Sequence, residues 1–366
     1  MKLAITGLAN SGKTTLFNAL TGQNIEATLY ATTSGDPHVG VVKVPDERVV
    51  RLSQIYEPRK TTFATVEYID YIGIAQGDQD QNRLVFDLMK GADALVCVIR
   101  AFNDDSVVHP NGNIDPQRDL RAMESELILS DLELIEKRLD RMAEGQQKKG
   151  KKPDEGEKRT LEKCREYLEN EIPLRNIELG IEEARYIRHL QFISILPMIV
   201  VLNISEDHLA GSSAEKLIEV LKDTISHYPL KEQLTFVPLS GKIEMEISQL
   251  DDPESEEFLK DLGITEPARN RLIHESYKLL GLISFLTVGE DEVRAWTISS
   301  GTEAHKAAGK IHSDIERGFI RAEVVSYSDL IELGSMTEVK QKGLSRLEGK
   351  NYIVRDGDII NFRFNV

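Results

Sequence analysis

The residues of this chain best suited to chemistry are Gly7 to Thr14, which read GLANSGKT. They satisfy G-x-x-x-x-G-K-[ST], in which glycines let the main chain wrap until its N–H groups face phosphate oxygens. Lys13 then reaches the β and γ phosphates and counts among the catalytic groups, while the Thr14 hydroxyl suits Mg²⁺. Asn10, Ser11, Gly12, Lys13, Thr14 and Thr15 form the expected phosphate-binding stretch. A chance glycine turn is the bland alternative. The match lies between a buried strand pattern, KLAITG, and a helical pattern, KTTLFNALTG, which is the context the motif requires.

Two later patterns fit the same ligand. Asp70 and Gly73 form D-x-x-G after an apolar run, so a carboxylate can hold Mg²⁺ through water and a glycine N–H can meet the γ phosphate. Ile74 follows where many GTPases keep a water-orienting glutamine. For the switch residue completing the Mg²⁺ shell, Thr32, Thr33 and Ser34 compete, with Ser34 carried as the metal candidate. Asn203, Ile204 and Glu206 lie in IVVLNISE, an N-x-x-E where GTPases of this type carry N-K-x-D. An aspartate there accepts both guanine donors, which adenine lacks, so its loss weakens guanine preference. An asparagine that merely caps its loop is the alternative. Ser240 and Gly241, in VPLSGK, stand where a third base-contact loop is usual. From the residues alone, Phe102 reads as a strand-end core residue and His109 as an exposed loop residue.

These groups need an α/β, mostly parallel sheet to hold them. Apolar runs at 63–70, 94–100, 198–203 and 236–239 read as buried strands separated by helical stretches. Ile128, Leu132, Ile135, Leu139 and Met142 repeat in steps of four and three, a coiled-coil stripe. After the polar break GQQKKGKKPDEG, Leu161, Cys164 and Leu168 share one helical face, so a helical hairpin inserted into the α/β part is expected. The expected division is a nucleotide-binding domain in two parts, 1–118 and 197–280, an inserted hairpin at 119–196, and a small C-terminal α+β domain at 281–366.

A length of 366 residues exceeds one ordinary core, and 40% hydrophobic with 29% charged residues excludes wholesale disorder. No apolar run reaches about 18 residues and MKLAITGLAN lacks the regions of an export signal, so a cytoplasmic protein without a membrane is expected. Cys97 and Cys164 are too few for a disulfide framework and read as buried thiols. A net charge of −16 argues against DNA and nonspecific nucleic-acid binding, leaving only locally basic surfaces for RNA.

The stretches TLFNALTG, HVGVVKVPD, DPQRDL, ESELILSDLELIEKRL, VRAWTI, AAGKIHSDIERGFIRAEV and LEGKNYIVRDGDIINFRFNV together resemble the Obg-like ATPase family, called YchF in bacteria, over nearly the whole chain. The resemblance implies a P-loop domain interrupted by a helical hairpin, a C-terminal TGS domain of ubiquitin-like shape, hydrolysis of ATP to ADP in preference to GTP, and association with ribosomes. By position it makes Phe102 an aromatic that packs on adenine and His109 the loop histidine of the hydrolytic step. It also makes Asn10 the asparagine that holds K⁺ in cation-activated relatives. An asparagine that stabilises its own loop stays open beside that reading.

The sequence departs from the family at DYIGI, at the short AQGDQDQNR that follows, and at Gly241 in place of an alanine, so hydrolysis could be slow or lost. Lys148, Lys149, Lys151 and Lys152 at the hairpin tip, and Lys306, Lys310, Arg317, Arg321, Lys342, Arg346 and Lys350 near the C-terminus, offer RNA-facing patches or merely solvated charge. The reading is a slow ATP-hydrolysing, Mg²⁺-dependent monomeric switch on the ribosome or its RNA. A GTP-preferring enzyme and an RNA-binding adaptor with a weak nucleotide site are the alternatives.

Overall fold

The computed structural model describes residues 1–25, 37–149, 154–209, 213–230, 233–264 and 266–365. Its strands in chain order are β1 (Lys2–Thr6), β2 (His38–Lys43), β3 (Lys60–Thr62), β4 (Thr65–Asp70), β5 (Ala94–Ala101), β6 (Met198–Ile204), β7 (Leu234–Leu239), β8 (Leu282–Thr287), β9 (Glu292–Ser299), β10 (Phe319–Ser326), β11 (Arg346–Glu348) and β12 (Asp358–Phe364). They divide between two compact units, Met1–Val41 with Glu67–Leu272, and Val42–Val66 with Ile273–Val366.

The first unit is built on a six-stranded sheet of order β2-β4-β1-β5-β6-β7. β1 lies parallel to both β4 and β5, and β5, β6 and β7 continue parallel. Every residue of β6, and all but the last of β5, is buried. Strands covered on both faces must be apolar throughout, which is why these segments read as continuous runs rather than as alternation. The runs at 198–203 and 236–239 thus fall in β6 and β7. Cys97 is in the sheet core and Cys164 in the hairpin; both are free and buried, and burial pushes each thiol up to about 12.

A helix Pro116–Lys149 and a second, Glu155–Glu169, form the hairpin. The first opens on proline, whose missing N–H costs nothing at that position, and at about 1.5 Å per residue it is roughly 50 Å long. Ile128 and Ile135 are buried with Leu161, Cys164 and Leu168, and Leu132, Leu139 and Met142 pack against them. The stripe read from spacing is therefore the seam between the two helices.

The second unit carries a mixed sheet of order β11-β10-β12-β8-β9-β3. Its core joins Phe285, Phe319, Phe362 and Ile360 with Ala304, Ala307 and Ala308 of the helix Ala304–Ile311. The stretch 42–66, placed by sequence within 1–118, is compact with this unit. β3 runs parallel to β9, with Thr61 opposite Val293, and Thr62 donates a hydrogen bond to Glu292. Three residues of edge strand leave little hydrophobic pattern to show which sheet they join.

No helix among the described residues is long and apolar enough to cross a membrane.

Candidate functional site

The carboxyl ends of parallel strands are where ligands bind in open α/β sheets, and the first unit collects its polar residues there. The turn after β1 is the phosphate loop. Gly7 has φ 144°, and a Cβ on it would lie 2.4 Å from the Val98 carbonyl oxygen. Gly12 has φ 92° and caps the helix Lys13–Thr21 with no side-chain hydrogen bond, so the first-turn amides of Lys13, Thr14 and Thr15 face outward as an anion cradle.

Lys13 is buried, and its Nζ donates to the Leu8 carbonyl at 2.8 Å. Burial lowers its pKa to about 8, against the opposing pull of Asp70. Asp70 accepts from the Thr14 hydroxyl at 2.9 Å through Oδ2, while its buried Oδ1 and the Ser11 hydroxyl have no protein partner. Burial raises the Asp70 carboxyl, opposed by Thr14, Lys13 and His38. A desolvated ammonium, an unsatisfied carboxylate oxygen and free amides are donors and acceptors suited to a phosphate chain with Mg²⁺. Thr14 and Asp70 would hold the metal, which when bound would neutralise phosphate charge.

The Lys13 pKa has a testable consequence. The triphosphate requires the ammonium form, which is already present below pH 8, so affinity should be flat there. Above pH 8 a proton must be taken up on binding, and affinity for a nucleoside triphosphate should fall by about tenfold per pH unit. Calorimetric titration between pH 7 and 9 measures this.

Gly73 approaches the same ammonium: a Cβ on it would lie 2.9 Å from Lys13 Nζ. Ile74 donates its N–H to the Gly7 carbonyl at 3.0 Å, and its side chain is buried in the sheet core. No polar group therefore faces the phosphates from position 74.

At the base end, Asn203 is buried and ties two loops together. Its Nδ2 donates to the Ser11 carbonyl at 3.0 Å and its Oδ1 accepts from Gly241 N at 2.9 Å. A Cβ at Gly241 would come within 3.3 Å of that amide oxygen, so any larger residue requires the Asn203 amide to give by a few tenths of an ångström. Ser240, beside it, is buried at the helix start. The Ile204 side chain lies in the sheet core, leaving only its main chain for a ligand, and Glu206 is exposed on a short turn.

Phe102 is half-buried rather than a core residue. Its ring edge lies 3.8 Å from where a Gly12 Cβ would sit, and the Arg100 guanidinium stacks on it at 4.5 Å. Arg100 donates to the carbonyls of Phe102 and Asp104, each at 3.2 Å, which fixes the start of the following loop.

His109 is not exposed, contrary to the reading from residue type. Only 6% of its surface remains accessible; Nε2 is 2.8 Å from Asp119 Oδ2, and Nδ1 accepts from Asn111 N at 3.1 Å. An isolated histidine in VVHP gives no sign of a partner ten residues on, so sequence alone misplaces it. Asn10, in a left-handed conformation at φ 60°, donates through Nδ2 to the Val108 carbonyl at 2.9 Å. Its amide thus ties the phosphate loop to the histidine loop.

Thr32, Thr33 and Ser34 lie outside the described residues, as do Lys151, Lys152 and the side chains of Lys148 and Lys149. Reasoning from sequence missed His38, whose Nδ1 is 3.8 Å from Asp70, along with Arg100, Asp119 and Glu126. Arg100 was detectable as a charge closing the buried run ALVCVIRA; the other three carry no signal of their own.

This fold and cradle define a P-loop nucleotide hydrolase. Residues 2–136 match the family described as 50S ribosome-binding GTPase, and 282–365 match YchF-GTPase_C, described as a protein of unknown function. The chain is 41% identical to the ribosome-binding ATPase YchF of Bacillus subtilis, over 99% of this chain and 98% of that one. It is 40% identical to that of Haemophilus influenzae, over 100% and 99%. The solved structure of the Schizosaccharomyces pombe YchF GTPase superposes with a TM-score of 0.83 at 29% identity, covering 99% of this chain and 97% of that one. The chain belongs to the YchF family.

Proposed function

We propose that this protein binds ATP in preference to GTP, with Mg²⁺ held by Thr14, Asp70 and one of Thr32, Thr33 or Ser34, hydrolyses it slowly to ADP and phosphate, and uses the two states as a switch on the ribosome. In this reading Lys13 and the amides of Asn10 to Thr15, with that of Gly73, hold the phosphates. Phe102 packs on adenine, and Asn203, Ile204, Glu206, Ser240 and Gly241 frame the base. His109 supplies the polar group missing at Ile74. K⁺ sits against the Asn10 amide oxygen, since the nitrogen is engaged by Val108. The chain works as a cytoplasmic monomer divided as 1–118 with 197–280, 119–196 and 281–366, except that 42–66 go with the C-terminal part.

One observation carries the hydrolytic part. The loop bearing His109 is hydrogen-bonded on one side to the phosphate loop, Asn10 to Val108, and on the other to the stretch after Gly73, through Asn111 Nδ2 to Gln76 Oε1 at 3.2 Å. Being tied to both phosphate-binding segments, this loop supports a role for His109 at the terminal phosphate, while Ile74 faces the core.

His109→Ala should slow single-turnover phosphate release by about one to two orders of magnitude and leave ATP affinity unchanged. Equal rates would remove His109 from the reaction. Titration with ATP and GTP, in K⁺ and in Na⁺, tests the nucleotide and cation assignments, and no phosphate release at all would favour the adaptor.

Ribosome association in the two bacterial relatives is stated by their names, and here it rests on basic patches. Of the C-terminal set, Lys306 pairs with Glu316, Arg317 with Asp314, and Arg346 faces Glu348 and Asp358. Much of this charge is locally balanced, so the hairpin tip is the stronger candidate. Cosedimentation with ribosomes should weaken steeply between about 50 and 200 mM salt. Salt-insensitive binding would place the contact elsewhere.

A further inference from the structure

His109 is held by a residue to which the hydrolytic reading gives no role. A main-chain N–H can only donate, so the Asn111 bond makes Nδ1 the acceptor and puts the imidazole proton on Nε2, where it is donated to Asp119. Both ring nitrogens are thus occupied. Asp119 is itself buried and fixed by the Arg118 guanidinium, with Nε at 3.0 Å and Nη2 at 2.9 Å from Oδ1.

Asp119 belongs to the first turn of the helix Pro116–Lys149. Two turns on, on the same face, buried Glu126 accepts from Gly77 N and from Asn82 Nδ2, each at 2.8 Å. Asn82 in turn closes onto both main-chain groups of Ala75. One helix therefore grips both the histidine loop and the segment that follows Gly73.

We propose that Asp119 is a positioning residue that latches His109 in a withdrawn state, so that the hairpin's first helix restrains hydrolysis until the latch opens. The proposal rests on His109 being the hydrolytic group. A dyad in which Asp119 orients a working His109 is disfavoured by the geometry, because the nitrogen that would meet water is already bonded to Asn111 and the ring is buried. Displacement of the helix by whatever the hairpin binds moves Asp119 and opens the latch directly.

The test compares single-turnover phosphate release and affinity for a non-hydrolysable ATP analogue in the parent, Asp119→Ala, Asp119→Asn, His109→Ala and the Asp119→Ala/His109→Ala double variant. Asp119→Ala should raise the rate about tenfold, the shift expected on loss of one charge-assisted hydrogen bond, without weakening analogue affinity, since a ligand that favours the open state binds no worse when the latch is gone. Asp119→Asn, which keeps an acceptor, should raise it less, and His109→Ala should erase the gain. A slower or unchanged Asp119→Ala, with His109→Ala still slow, overturns the latch and leaves the hydrolytic reading standing. An unaffected His109→Ala overturns both. Should Asp119→Ala not fold, amide exchange in the full-length parent decides: the Asn111 N–H should be protected in the free protein and exchange faster with the analogue bound, and identical exchange in the two states overturns the proposal.

Discussion

Lys13→Ala should lose more than about a hundredfold in affinity for ATP, a cost of at least about 3 kcal/mol. The buried ammonium has one carbonyl partner, Leu8, and stands beside Asp70 and Gly73 at the mouth of the phosphate loop. Its desolvation lowers its pKa to about 8, which means the folded protein holds the charge at a cost that an arriving triphosphate removes. Alanine deletes the charge that the phosphates meet, so metal held through those phosphates should weaken with nucleotide binding. Fluorescence or calorimetric titration of the folded variant checks this. Affinity within threefold of the parent would mean that the loop does not hold phosphate, whatever its sequence.

Arg175→Ala should destabilise the first unit by about 3–5 kcal/mol, with no group of the nucleotide site touched. Arg175 has no exposed side-chain surface; it pairs with buried Glu124 of the hairpin's first helix and donates to the Ser194 carbonyl at 3.1 Å. Asp131, two turns further along the same face, accepts from the amides of Ile193 and Ser194 at 3.0 and 2.8 Å. Together these bonds fasten the returning chain to the base of the hairpin. Removing the guanidinium strands Glu124 as an unpaired buried charge. Replacing both partners, as in Arg175→Met with Glu124→Leu, should recover most of the loss, since well-packed apolar groups substitute for a buried pair at little net cost. Urea denaturation of the single and double variants measures the difference; equal losses in both would place the stabilisation in packing rather than in the pair.

The two variants differ in what made them findable. Lys13 is announced by GLANSGKT, because binding a phosphate with main-chain amides demands glycines and a lysine at fixed local spacing. Arg175 lies in PLRNIE and carries no such mark, since its partner is 51 residues away. The hairpin seam was legible for the reason that Lys13 was: periodicity is a local property, and Ile128, Ile135, Leu161 and Cys164 fall where it puts them.

His109 shows where local reading stops. Its residue type predicted an exposed loop, yet the fold buries it against Asp119 and sets its neighbours between the phosphate loop and Gln76. Likewise, compactness joins residues 42–66 to the C-terminal unit because β3 pairs with β9, more than 200 residues later in the chain. A three-residue strand has too few side chains to encode its partner.

The sequence by itself determined the phosphate cradle, the parallel sheet that carries it, the hairpin seam and the family, since each depends on residues close together in the chain or on long uninterrupted patterns. Only the tertiary structure decided which groups surround that cradle: Ile74 in the core, Asn203 committed to joining two loops, and Asp119 holding His109. Those are pairings across many residues, set by strand order and helix placement, and hydrogen-bonding partners that distant leave no periodic trace in the chain.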